Sequence, residues 1–340
     1  MLSAIFERYR AEIDAELKSI LTKRKLPLYD MLQYHMGWVD AEGNPMQNSS
    51  GKALRPTLCL LAYESIGGDY HKALPAAAAI ELIHNYSLIH DDIQDDDEER
   101  RHRPTVWIIW GKPQAINAGT AMRLLANLIL ARLRKVDFPL EKQLRIQSLI
   151  DDTTIRLVEG QYLDISFENR FDIKVDDYLE MIEGKTAALI SCALETGSLL
   201  GTDDGQITAS FRDIGRSLGL AFQIRDDILG IWGEGEKIGK PLGSDILHRK
   251  KTLPIVYALE KTGNTLRKEL IDIYQNGTFK KNELATVLNI LESVDAQANA
   301  QEMAEKYCAD ALQTIDSISL VPSAKKRLKE MFHFLIERSF

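Results

Sequence analysis

Apolar residues recur every three or four positions along almost the whole chain. This spacing is typical of amphipathic helices, and alternating apolar and polar residues of strand length are almost absent. The pattern therefore predicts an all-α protein. The helices that it predicts span residues 2–22, 52–66, 73–96, 113–133, 140–168, 176–199, 207–232, 252–261, 265–275, 281–293, 297–316 and 322–338.

The breaks between these helices are short turns marked by residues such as Gly67 and Gly68. No Pro/Gly/Ser-rich hinge divides the chain, and no segment repeats at a fixed period. We therefore predict a single domain over residues 1–340.

Composition and charge exclude several classes of protein. Apolar residues make up 45% of the chain and charged residues 27%, as in ordinary globular proteins. The net charge of -8 argues against a large nucleic-acid-binding surface. No stretch of 18 apolar residues and no signal-peptide core is present, which predicts a protein without a membrane span. Three widely spaced cysteines, Cys59, Cys192 and Cys308, fit a reducing cytoplasm.

A first acidic cluster follows directly on an apolar helix, in the segment from Glu81 to Asp97. Asp91 and Asp95 are four residues apart and therefore share one helical face, and His84 returns to nearly the same face. Like charges in this arrangement repel each other unless a cation compensates them. Mg²⁺ is the divalent cation best suited to such oxygen ligands when phosphates complete its coordination. Arg100, Arg101 and Arg103 follow at once and can bind phosphate oxygens.

A second acidic cluster, Asp226 and Asp227, lies on an otherwise apolar helix that also carries Gln223. Basic residues stand near both clusters. Lys52 and Arg55 project from a helix start, which is a natural site for an anion. A lysine within an apolar helix, as at Lys185, is costly unless an anion pairs with it. The remaining candidates are Lys240, Lys250 and Lys251.

Together these segments resemble the trans-isoprenyl diphosphate synthase family, which includes the farnesyl and geranylgeranyl diphosphate synthases. The resemblance covers residues 48–256 and rests on six motifs in the family's order. They are GKxxRP (51–56), DDxxD (91–95), RRxRPT (100–105), KT (185–186), FQxxDD (222–227) and KxxxxD (240–245). One position departs from the family, because Gly230 replaces the last aspartate of the second DDxxD motif.

The resemblance implies a helical bundle with a central active-site cavity and a Mg²⁺-dependent prenyltransferase. Asp91, Asp95 and Asp226 would bind about three Mg²⁺ ions that hold an allylic diphosphate. Arg100, Lys185, Lys240 and Lys250 would bind the same diphosphate, and Thr186 and Gln223 would stabilise the allylic cation. Isopentenyl diphosphate would bind to Lys52, Arg55, His84 and Arg101 without metal. Asp164 is expected near the same region, where a structural role is equally compatible with the sequence.

Product length depends on the residues before the first aspartate motif. By resemblance, an aromatic residue at the fifth position before the motif, here Tyr86, forms the floor of the cavity in short-chain enzymes. On a straight helix, however, small Ser87 lies closer to the face of Asp91 than Tyr86 does. The two extra residues that bacterial farnesyl diphosphate synthases carry within the first motif are absent. We therefore expect a C20 product in preference to a C15 product.

Two alternatives remain open. A terpene cyclase would share the first aspartate motif but would not need the second diphosphate site of Lys52, Arg55, His84 and Arg101. A non-catalytic subunit of a heteromeric synthase is the other alternative, supported only by Gly230. The resemblance also predicts a homodimer and a cytoplasmic location.

Overall fold

The computed structural model describes residues 2–46, 51, 53–233, 243–275 and 282–336. Two of the predicted site residues, Lys52 and Lys240, lie outside these ranges. The helices are α1 (Leu2–Leu21), α2 (Pro27–His35), α3 (Leu54–Ser65), α4 (Leu74–Gln94), α5 (Val106–Trp110), α6 (Lys112–Leu130), α7 (Leu140–Phe167), α8 (Val175–Ile182), α9 (Ala188–Gly201), α10 (Gly205–Trp232), α11 (Ser244–Leu247), α12 (Leu253–Lys261), α13 (Asn264–Gln275), α14 (Glu283–Ser293), α15 (Ala296–Ser317) and α16 (Pro322–Ile336).

The predicted all-α class is confirmed. In the part of the chain that the structure describes, the only strands are β1 (Glu99–Arg100) and β2 (Arg103–Pro104), which form an antiparallel hairpin. Helices α2, α5 and the four-residue α11 were not predicted. Helix α2 has only nine residues, and the β-branched and aromatic sequence of α5 has low helix propensity.

The helix predicted over residues 176–199 is interrupted. A π-helical turn, Glu183–Ala187, separates α8 from α9. Such turns add one residue per turn and occur frequently at functional sites. The turn contains Lys185 and Thr186, so it determines the direction of both side chains.

The chain forms two compact units. The first contains residues 1–154, 192–212 and 319–328, and the second contains residues 155–191, 213–318 and 329–340. In the first unit α4 packs most extensively against α6 and also contacts α1 and α3. Its Ala76–Ala79 segment is fully buried, which fits a helix that is surrounded on all sides. The prediction of a single domain over residues 1–340 stays a prediction.

The second unit has its core around α12, which contacts α8, α14 and α15. The C-terminal part of α10 packs into this core through Ile224, Ile228 and Ile231. The polar residues between them on α10 are therefore held on a rigid element.

Candidate active site

The first carboxylate pair lies at the C-terminal end of α4. The Asp95 N–H donates to the Asp91 carbonyl oxygen at 2.8 Å, so the helical turn continues through both residues. Asp91 is half-buried and Asp95 is exposed. Because the C-terminal end of a helix carries partial negative charge, two carboxylates there are unfavourable without a cation. This position fits the binding of a divalent metal.

Asp92, between them in sequence, has a different environment. Its side chain is buried and its Oδ1 accepts a hydrogen bond from Arg100 Nε at 2.5 Å. Burial raises the pKa of Asp92 to about 6, and the Arg100 guanidinium opposes this shift. Asp92 therefore orients Arg100, whose side chain is 28% exposed. Diphosphate binding by Arg100 stays a prediction.

The β1–β2 hairpin presents the next arginine. Arg101 and His102 form its two-residue loop, and both have positive φ angles, 54° and 60°. Two-residue hairpin loops with positive φ at both positions match the twist of the strands, although non-glycine residues pay a steric cost there. Arg103 is used structurally, because it donates to the carbonyl oxygens of Tyr34 and Val39.

The GKxxRP and RRxRPT motifs meet in the first unit. A Cβ atom on Gly51 would lie 2.8 Å from Arg101 Nη2, so only a glycine lets the guanidinium approach the backbone this closely. Arg55, from the first turn of α3, lies beside His84 of α4, with Nη1 and Nε2 separated by 3.1 Å. Burial and the neighbouring Arg55 hold the pKa of His84 well below its usual range. The imidazole is therefore neutral, and its Nε2 can accept from Arg55.

Glu81, one turn before His84 on α4, was not predicted as a site residue. It is buried, and its Oε1 accepts from Asn85 Nδ2 at 3.1 Å. Burial raises the pKa of Glu81, while the positive charges of Arg55 and Arg101 oppose the shift. A buried carboxylate close to both arginines can hold them in place by charge attraction. The only sequence feature that could have indicated a role for Glu81 is its position one turn before His84.

The second unit contains the KT motif, in the π-helical turn. This turn is packed against α7 through backbone contacts. A Cβ on Gly160 would overlap the Lys185 nitrogen and lie 2.7 Å from the Gly184 carbonyl carbon. Glu183, at the start of the turn, forms ion pairs with Arg156 of α7 (3.1 Å) and with Arg216 of α10 (2.6 Å). The turn is therefore fixed by a glycine contact and by two ion pairs.

Lys185 forms a close ion pair with Asp164 of α7. Because the Asp164 carboxylate compensates the charge of Lys185, the apolar helix tolerates the lysine without a phosphate. Lys185 stays one quarter exposed. Asp164 therefore orients the ammonium group, and diphosphate binding by Lys185 stays a prediction.

A chain of hydrogen bonds connects Thr186 to the second acidic cluster. Thr186 Oγ1 donates to Gln223 Oε1 at 2.8 Å, and Gln223 Nε2 donates to Asp227 Oδ1 at 3.1 Å. The other oxygen of Asp227 accepts from the Tyr178 hydroxyl and from the Leu253 N–H. Burial raises the pKa of Asp227 to about 7, and these donors oppose the shift.

This network assigns different roles to the two aspartates. Asp227 is buried and uses both oxygens inside the protein, so it fixes the orientation of the Gln223 amide. Asp226 is half-buried on the neighbouring face of α10, and metal binding by Asp226 stays a prediction. Tyr178 was missed by sequence reasoning, because its partner is 49 residues away in the chain.

Lys250 and Lys251 are adjacent in sequence but have different environments, as Asp226 and Asp227 do. Lys251 Nζ donates to the carbonyl oxygens of Phe167 and Glu168, both at 2.6 Å, and also to that of Arg170. These carbonyls lie at the C-terminal end of α7, where helix carbonyls need external donors. Lys251 therefore caps α7, contrary to the expectation that both lysines serve a bound anion. Lys250 is exposed.

We expect Lys251→Met to lower the free energy of unfolding by about 2 kcal/mol, because hydrogen bonds from a charged donor are lost. Lys250→Met is the matched control and should change stability by less than about 0.5 kcal/mol, as for an exposed surface residue. Urea unfolding followed by circular dichroism measures both. Equal stabilities of the two variants would contradict the capping role.

The two residues predicted to control chain length are both buried on α4. The Tyr86 ring packs edge-on against His90, with ring centroids 5.4 Å apart. Ser87 Oγ donates to the His84 carbonyl oxygen at 2.8 Å. Both roles in chain length stay predictions.

The described carboxylates suit a Mg²⁺ ion whose coordination is completed by water and by the substrate. Among the residues that the structure describes, no three His, Cys, Asp or Glu side chains converge to hold a metal ion by themselves. Mg²⁺ commonly takes only one or two protein carboxylates and completes its octahedron with water and substrate phosphates. Asp91 with Asp95, and Asp226, are suited to this kind of binding. Across the described helices, none is both long and apolar enough to cross a membrane.

Comparison with known proteins agrees with this fold and these motifs. The family model for polyprenyl synthetases matches residues 37–291. The chain belongs to the polyprenyl synthetase family and is a prenyltransferase. The predicted family and the predicted class of enzyme are therefore confirmed.

Individual relatives are similar over most of their length. A (2E,6E)-farnesyl diphosphate synthase from Mycobacterium tuberculosis is 39% identical, covering 91% of this chain and 85% of the relative. A geranylgeranyl diphosphate synthase from the same species is 40% identical, covering 80% and 76%. The crystal structure of a polyprenyl synthetase from Streptomyces coelicolor A3(2) matches with a TM-score of 0.92 at 34% identity, covering 99% and 100%.

Proposed function

We propose that this protein condenses isopentenyl diphosphate with an allylic diphosphate in a Mg²⁺-dependent reaction, giving a short-chain all-trans prenyl diphosphate, with C20 favoured over C15. The observation that carries the proposal is a cluster of cationic groups that includes none of the proposed metal ligands. Arg55 lies 3.1 Å from His84, and Arg101 packs against Gly51. A second diphosphate can bind there without metal, and a cyclase needs no such site.

In this proposal Asp91, Asp95 and Asp226 bind the metal ions of the allylic diphosphate, with Arg100, Lys185, Lys240 and Lys250 as further cationic groups. When bound, Mg²⁺ neutralises the diphosphate so that it can leave. The C1–O bond of the allylic substrate breaks, and the electron pair leaves with the diphosphate. The π bond of isopentenyl diphosphate then forms the new C–C bond at C1.

The chain's own residues serve this reaction by orientation. The Thr186 hydroxyl donates a hydrogen bond to Gln223. The lone pairs of the hydroxyl oxygen are therefore available to face the allylic cation. The Gln223 amide is held by Asp227, whose other oxygen accepts from the Tyr178 hydroxyl. Lys52, Arg55, His84 and Arg101 hold isopentenyl diphosphate, and the released diphosphate takes the proton lost from C2. No protein nucleophile is required.

The purified chain, incubated with Mg²⁺ and dimethylallyl, geranyl or farnesyl diphosphate, tests the proposal by product mass. We expect elongated diphosphates that depend on isopentenyl diphosphate and stop mainly at C20. Hydrocarbon or alcohol products formed without isopentenyl diphosphate would favour a cyclase. Elongation that appears only after a homologous chain is added would favour the non-catalytic subunit.

Tyr86→Ala is expected to shift the products towards longer chains, because the buried ring beneath the first motif is removed. The same mass analysis measures the shift. Leu26→Ala is the control, since Leu26 is 65% exposed and lies on neither α4 nor α7. An unchanged product distribution in Tyr86→Ala would refute the role of Tyr86 as a floor.

The proposed homodimer is supported by the outer face of α7. Exposed apolar side chains fall within about 80° of one another around this helix, which is unusual for a free surface. They are Leu140, Leu144, Ile155, Val158, Tyr162 and Ile165. Sedimentation equilibrium should give twice the chain mass of 38.4 kDa, and a monomer at micromolar concentration would contradict the proposal.

A further inference from the structure

Arg10, on α1, contacts the start of the GKxxRP motif. Its Nη1 donates a close hydrogen bond to the carbonyl oxygen of Gly51. The neighbouring Tyr9 and Ile13 of α1 are buried, and the helix packs against α3 and α4. The core of the first unit therefore fixes the position of the Arg10 backbone, although no sequence motif includes this residue.

Gly51 is contacted by a second guanidinium group. A Cβ atom on Gly51 would lie 2.8 Å from Arg101 Nη2, while Arg10 binds the carbonyl oxygen of the same residue. A shift of the Gly51 backbone would change both contacts and would also move the motif residues that follow it in the chain. The contact from α1 therefore links the GKxxRP and RRxRPT motifs to the N-terminal helix.

Asp14 orients the Arg10 side chain. Arg10 Nε donates to Asp14 Oδ2 at 2.9 Å, one turn further along α1. The two side chains are only 20% and 24% exposed. Because the guanidinium group is planar and rigid, binding of Nε to Asp14 fixes the direction in which Nη1 points.

The charge of Arg10 also acts on buried groups of the cationic cluster. Burial raises the pKa of Glu81, and the guanidinium groups of Arg55 and Arg10 are among those that oppose the shift. Burial lowers the pKa of Arg101, and repulsion by Arg100 and Arg10 adds to this effect. Like charges this close are unfavourable by themselves and favour the binding of an anion.

We propose that Arg10 is a positioning residue of the isopentenyl diphosphate site, which holds the Gly51 carbonyl so that the GKxxRP motif and Arg101 bind one diphosphate together. This inference rests on the proposed function. Arg10 acts through Gly51 and through its charge. Its loss should weaken the binding of isopentenyl diphosphate and leave the binding of the allylic diphosphate unchanged, because the carboxylates and their metal ions hold that substrate.

Two variants of Arg10 and one control test the proposal. Arg10→Met removes the guanidinium group, and Arg10→Lys keeps the charge but has a single nitrogen for two partners. Arg8→Met is the matched control, because Arg8 lies on the same helix and also pairs with a carboxylate, that of Glu64 at 2.7 Å. Steady-state kinetics give the KM of each substrate. Thermal unfolding of the Mg²⁺-free protein, titrated with isopentenyl diphosphate, measures binding without turnover.

We expect Arg10→Met to raise the KM of isopentenyl diphosphate and the titration midpoint about tenfold, as for the loss of one charge-assisted hydrogen bond. The kcat and the KM of the allylic diphosphate should stay within about twofold of the wild type, because only binding of the other substrate is affected. Arg10→Lys should raise the KM of isopentenyl diphosphate about threefold. Arg8→Met should change no value by more than about twofold, as for a surface ion pair.

A KM of isopentenyl diphosphate in Arg10→Met equal to that of the wild type would overturn the proposal, as would an equal rise in Arg8→Met or for the allylic diphosphate. If Arg10→Met does not fold, Arg10→Lys decides, and an unchanged KM then overturns the proposal. A wild-type protein that elongates allylic diphosphates, with unaltered binding in the Arg10 variants, would remove only this inference. A wild-type protein that neither elongates them nor binds isopentenyl diphosphate would remove the proposed function.

Discussion

Replacing Gly160 with alanine is expected to lower kcat by about 100-fold. The new methyl group would overlap the Lys185 nitrogen and press on Gly184, so the π-helical turn must move away from α7. Lys185 and Thr186 both project from this turn. A displacement of about 1 Å in groups that position a reacting substrate can cost about 100-fold in rate.

Gly263→Ala is the matched control, because a Cβ at Gly263 meets no atom within 4 Å. Steady-state kinetics with an allylic diphosphate and isopentenyl diphosphate measure the effect on kcat. Thermal unfolding checks that both variants are folded, since overpacking alone can cost about 1–3 kcal/mol. A folded Gly160→Ala variant with the kcat of the wild type would show that the glycine contact does not position the KT motif.

Long helices were predictable from the sequence because each buries one apolar face over many turns. The predicted ranges 140–168 and 207–232 agree with α7 and α10 to within about two residues. The π-helical turn was not predictable, because local periodicity cannot specify one extra residue in a turn. That turn depends on the contact between Gly160 and Gly184, which are 24 positions apart in the sequence.

The same distinction holds for the candidate site: residues on one helix were predictable, and contacts between separate segments were not. Asp91 and Asp95 stand out because acids directly follow an apolar helix, and their positions depend only on that helix. The contacts of Tyr178 and Asp227 depend on where separate segments meet. Nothing near Tyr178 in the sequence indicates that its hydroxyl donates to Asp227. The motif spacing likewise does not indicate that a side chain at Gly230 would overlap the Asp245 carboxylate.

Asp91→Asn is expected to lower kcat by about 10³-fold at saturating substrates. The substitution keeps the size of the side chain but removes one negative charge from the pair at the end of α4, so Mg²⁺ binds less tightly. Metal-assisted neutralisation of a leaving group is an electrostatic effect, and removing one stabilising group of this kind typically costs about 3–4 kcal/mol. The Mg²⁺ concentration for half-maximal rate should rise at the same time.

Asp96→Asn provides the matched control from the same acidic cluster. Asp96 is exposed, has a left-handed backbone conformation and forms an ion pair with Lys112, so its charge is already compensated by a surface lysine. We expect its kcat to stay within about twofold of the wild type, as for surface ion pairs of small energetic value. Rate measurements over a range of MgCl₂ concentrations compare the two variants. Only a residue that contacts the metal or the leaving group should differ from its neighbour in this way. If Asp91→Asn and Asp96→Asn had the same kcat and the same Mg²⁺ requirement, Asp91 could therefore not be a ligand of a catalytic metal.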